Sequence, residues 1–87
     1  MLKNSETPYV ITFDSTHAAM DAEKRLLKTE AKVHVIPTPR QITANCGLSI
    51  KISGISQGVL ESLLEELKIK KKALYRMESF TEIQKID

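Results

Sequence analysis

The chain has 87 residues, 41% of them hydrophobic, with thirteen Lys and Arg against eleven Asp and Glu and a formal charge of +2. This describes one small globular domain over residues 1–87, not a disordered chain, with little room for linkers and a core too small for high stability. The charge is too small to argue for a polyanion, the two Tyr and two Phe with no Trp form no stacking platform for nucleic acid, and no apolar run is long enough to span a bilayer.

After a polar lead-in without the apolar stretch of a signal peptide, Tyr9-Val10-Ile11-Thr12-Phe13 is rich in β-branched and aromatic residues and predicts a first strand. Asp14, Ser15 and Thr16 are all N-cap types, and Ala18 to Glu30 predicts a helix with Ala19, Ala22, Leu26 and Leu27 on one face. Lys32-Val33-His34-Val35-Ile36 predicts a second strand, ended by Pro37 and Pro39, which cannot donate ladder hydrogen bonds. A loop follows to Gly47. Leu48 to Ser53 then alternates strictly, the pattern of a strand with one polar face.

Gly54 breaks that strand and Ser56 can cap a second helix, in which Val59, Leu60, Leu63, Leu64 and Leu67 recur at helical steps. The run Lys68 to Lys72 reads as a solvated helix end whose cations complement the helix dipole. Ala73 to Met77 predicts a fourth strand that completes a core over residues 9–77. In the extension 78–87, Phe80, Ile83 and Ile86 fall three apart, the spacing of a short helical tail. The order β-α-β-β-α-β predicts an α+β fold of the ferredoxin-like, split βαβ kind: a four-stranded antiparallel sheet with two helices on one face.

In such a topology the loop after the second strand lies at the same end of the sheet as the start of the first helix. Cys46, the one cysteine, would then be near Arg40 and near a helix N-terminus, whose free N–H groups attract anions and favour a thiolate. Ser15 and Thr16 could add hydroxyl hydrogen bonds to an anion held there, and Gly47 and Asn45 flank the thiol. A plainer reading stands beside this one: Cys46 as a small buried hydrophobe, Arg40 as a solvated loop cation, and Ser15 and Thr16 as caps.

His17 in the first turn of the helix is a further candidate, as partner of Cys46, although no third residue that would orient it can be named. His34, with Val33 and Val35 pointing the other way, is expected on the open face of the sheet. Two scattered His and one Cys have no metal-ligand spacing, and no glycine-rich phosphate loop is present, so neither a metal nor a cofactor is expected. A lone thiol fits a reducing, cytoplasmic location.

Four blocks, Phe13-Asp14-Ser15-Thr16, Ala22-Glu23, Ile36-Pro37-Thr38-Pro39-Arg40 and Asn45-Cys46-Gly47-Leu48, resemble a family of small bacterial selenium/sulfur carrier-like proteins. The resemblance covers about residues 9 to 77, with the blocks in the family's order and spacing. It implies a carrier rather than a true enzyme, with persulfide or perselenide held on Cys46, the anionic end stabilised by Arg40 and the helix N-terminus, and protein donors and acceptors of chalcogen as partners. The alternatives are a non-catalytic interaction module, in which Val10 and Tyr75 form a patch on the open sheet face for a partner or a second copy, and a regulatory domain that binds a small anion.

Overall fold

The computed structural model describes residues 7–42, 47–79 and 81–86. Seven elements follow in order: β1 (Tyr9–Thr12), α1 (Thr16–Leu26), β2 (Lys32–Pro37), β3 (Leu48–Ser53), α2 (Gln57–Glu66), β4 (Ala73–Met77) and β5 (Ile83–Lys85). The strands form one sheet in the order β2-β3-β1-β4-β5, and each neighbouring pair is antiparallel. The fold is α+β, with β1 at the centre.

The sheet has five strands rather than the four expected, because the tail is a strand and not a short helix. Phe80 lies outside the described residues, but Ile83 and Ile86 explain the difference. Residues three apart share a helix face but take opposite faces of a strand. Ile83 packs with a cluster on one side of the sheet and Ile86 with the core on the other. A tight turn, with the Glu78 N–H donating to the Glu82 carbonyl at 2.8 Å, returns the chain along β4 and pairs an edge that would otherwise be open.

Alternation along the strands assigns the two faces. Tyr9, Ile11, Phe13, Ile50, Ile52 and Leu74 turn toward the helices and meet Ala19, Ala22 and Leu26 of α1 and Leu60 and Leu64 of α2. Each large side chain buried there contributes roughly 1.5–3 kcal/mol of transfer free energy. The opposite face carries a smaller cluster, in which Val10 and Met77 are buried beneath Ile42, with Ile36, Tyr75 and Ile83 at its margin.

Local chemistry fixes the helix limits. Ser15 and Ser56 are the N-caps: both have extended backbone, and their hydroxyl oxygens accept from the N–H of Ala18 at 3.1 Å and of Val59 at 3.3 Å. Helix α1 stops at Leu26 instead of running to Glu30. Leu27 is 56% exposed and so has no core to join, and the Thr29 hydroxyl donates to the Leu26 carbonyl at 2.7 Å in place of another helical turn.

Helix α2 ends in a Schellman motif. Lys68 adopts φ 56°, its N–H reaches the Glu65 carbonyl at 3.1 Å, and the Ile69 N–H reaches the Leu64 carbonyl at 2.9 Å. Lys68 to Lys72 is therefore a loop and not a helix end. The cation that meets the α2 C-terminus comes from α1: Arg25 Nη1 donates to the Leu67 carbonyl at 2.7 Å, while its Nε lies 3.2 Å from Asp21 Oδ2.

Candidate functional site

The β2–β3 connection begins where Pro37 ends the strand ladder. At its base the Thr38 N–H donates to the Gly47 carbonyl at 2.9 Å, and Thr38 Oγ1 shares a hydrogen bond of 2.7 Å with Ser49 Oγ. Ser49 is fully buried, so this hydroxyl pair satisfies a group that would otherwise be costly to leave without a partner. The chain then turns, with the Ile42 N–H donating to the Pro39 carbonyl at 3.0 Å.

Ile42 is the anchor of the loop. At 6% exposure it packs with Val10 and Met77 on the sheet face opposite the helices. Between the half-buried Pro39 and this anchor, Arg40 and Gln41 are exposed, and Arg40 forms no ion pair with any described carboxylate. A guanidinium is thus presented to solvent from a turn that is fixed at both ends. Asn45 and Cys46 lie outside the described residues.

Gly47, at the far side of the connection, is exposed, and a methyl group there would meet no atom within 4 Å. At the start of α1, Ser15 uses its oxygen as the helix cap, and a hydroxyl that accepts in this way still has its proton to donate. Thr16 is the first helical residue and is exposed. His17 is also exposed and lines a cleft of about 310 Å³ with Asp21, Arg25, Lys68 and Lys70. That cleft lies between α1 and the chain that follows α2.

His34 is exposed on the open face, opposite Lys51. Among the described residues, no group of three or more His, Cys, Asp and Glu could hold a metal ion, and no helix is long and apolar enough to cross a membrane. Three residues with structural work to do escaped the sequence reading: Ile42 as loop anchor, Arg25 as the link between helices, and Lys51 on an inner strand. The signal for Ile42 was available, since it is an isolated apolar residue in a polar loop. Arg25 could not be seen without knowing how the helices pack.

Over residues 8–76 the chain matches the family described as "Putative Se/S carrier protein-like", and it belongs to that family. No curated protein and no solved structure matches it.

Proposed function

We propose, from membership of that family, that the protein carries sulfur or selenium on Cys46, and the observation that carries the reading is the match over residues 8–76, which spans the Arg40 to Gly47 loop. In the loading step the Cys46 thiolate attacks the terminal sulfur of a donor persulfide, R–S–SH. A bond forms from Cys46 Sγ to that sulfur, the donor S–S bond breaks, and its electron pair leaves with R–S⁻. The product is Cys46–S–SH, and no outside oxidant is consumed. Selenium loads in the same way from R–S–SeH, and delivery to an acceptor repeats the exchange in the other direction.

The terminal chalcogen is anionic after loss of its proton, so the site needs donors and positive charge. Arg40 supplies the cation in this reading, and its exposure on a fixed turn supports that role. Ser15, Thr16 and Gly47 are the proposed hydrogen-bond donors, with His17 and Asn45 as further candidates. We read the fold as ferredoxin-like, which the order of β2, β3, β1 and β4 supports. We place the protein in the cytoplasm, where a lone thiol stays reduced.

Intact-mass measurement after exposure of the folded chain to inorganic polysulfide tests the proposal. The expected result is a gain of one sulfur atom, reversed by dithiothreitol and absent from Cys46→Ser. Adducts that form only after unfolding would reject it.

A further inference from the structure

We infer that the open face of the sheet is the docking surface for a protein partner rich in Asp and Glu. The inference rests on the carrier reading and names the chemistry of the protein that receives or supplies the chalcogen.

Register lines up His34, Lys51, Val10, Tyr75 and Lys85 in one row across all five strands on this face, and Lys32 shares the face two residues before His34. Four strand spacings of about 4.8 Å make the row roughly 19 Å wide. None of the five strands contains an Asp or a Glu. Lys32, Lys51 and Lys85 form no ion pair with any described residue, and Arg40 rises from the loop whose anchor, Ile42, packs on the same face. The carboxylates of the secondary structure lie on the helix side, with Glu61, Glu65 and Glu66 on α2 alone.

Edge protection against strand pairing accounts for Lys32 and Lys85, which sit on the outer strands. It does not account for Lys51. That residue belongs to β3, which is paired on both sides, and it is held beside His34 with no ion pair to any described residue. Lys32, Lys51 and Lys85, unpaired among the described residues, surround a centre in which Val10 and Met77 are already buried with Ile42, so charge rather than apolar area is what this face offers a partner. A second copy of the chain does not fit, because two such faces would repel. A single-stranded nucleic acid fits less well, since the row offers one aromatic ring and Ile42 roofs the centre.

The test is binding of fluorescein-labelled poly-glutamate to the full chain at low salt, read by anisotropy, with amide chemical shifts to locate it. The expected shifts fall at Lys51, Val10, Tyr75 and Lys85. The double variant Lys51→Glu/Lys85→Glu should bind about tenfold more weakly, because attraction becomes repulsion. The control Lys70→Glu/Lys71→Glu, in the loop on the helix side, should bind within twofold of the parent. Equal losses in both variants, or tighter binding of poly-dT on the same face, would overturn the inference. Polysulfide loading of Cys46 separates this from the carrier reading. Normal loading with unaltered poly-glutamate binding in the double variant rejects the docking surface alone, whereas failed loading of the parent chain rejects the carrier role alone.

Discussion

The two faces of the sheet are built on different principles. Toward the helices, side chains from β1, β3, β4, α1 and α2 interlock in one core, and cohesion comes from area. On the other face a few side chains gather with Ile42, Thr12, Ser49 and Ala73 are buried beside them, and Lys32, Lys51 and Lys85 form no ion pair with any described residue. The contrast separates stability from chemistry. Among its described residues, the loop that carries the candidate site is held by Ile42 and a hydrogen-bonded base, outside the cluster that forms the main core.

Substitutions should rank accordingly. Phe13→Ala, in the interlocked core, should cost about 3–5 kcal/mol of unfolding free energy, and Leu60→Ala about 2–5. Ile42→Ala should cost about 2 kcal/mol, since its cluster is small and lies near the surface. Urea denaturation of the three variants measures the difference between the faces. A loss at Ile42 as large as that at Phe13 would mean that the loop is part of the main core.

Smaller effects probe the helix ends that the core positions. Ser15→Ala and Ser56→Ala should each cost about 1 kcal/mol, because each leaves one N–H at a helix start without its cap. Thermal unfolding of the pair checks this. If Ser15 also serves the chalcogen site, its variant will slow polysulfide loading while Ser56→Ala will not. Lys68→Gly should raise stability by about 0.5 kcal/mol, since a left-handed backbone strains lysine and suits glycine. A fall in stability on that change would mean that the lysine side chain contributes more than the backbone strain removes.

What could be read from the sequence divides along the same line. The limits of β3 and β4 were legible because their alternation and flanking breakers agree, and Ser56 was legible as a cap because a helical apolar pattern follows it. The tail was misread because a spacing of three suits one face of a helix and also two faces of a strand, and only the open edge of β4 decides between them. Helix α1 was drawn too long because its polar end has good helix formers but no surface to cover. Val10 and Tyr75 were legible as residues of the open face, but not the roof over Val10, since that contact joins segments far apart in sequence. For the candidate site, the sequence supplies Arg40 and its neighbours, while its electrostatic setting comes from strand register. Lys51 and Lys85 come to the face on which Ile42 packs only once the strands are paired.

The most direct test of the carrier role is the rate of Cys46 alkylation by iodoacetamide in the folded protein as a function of pH, run beside Arg40→Ala. A reaction midpoint clearly below the free-thiol value of ~8.5, moving upward in the variant, is the result the carrier proposal predicts, because it assigns Arg40 to stabilise the thiolate. Alkylation that waits for unfolding, or a midpoint that Arg40→Ala leaves in place, would contradict an activated thiol held by Arg40.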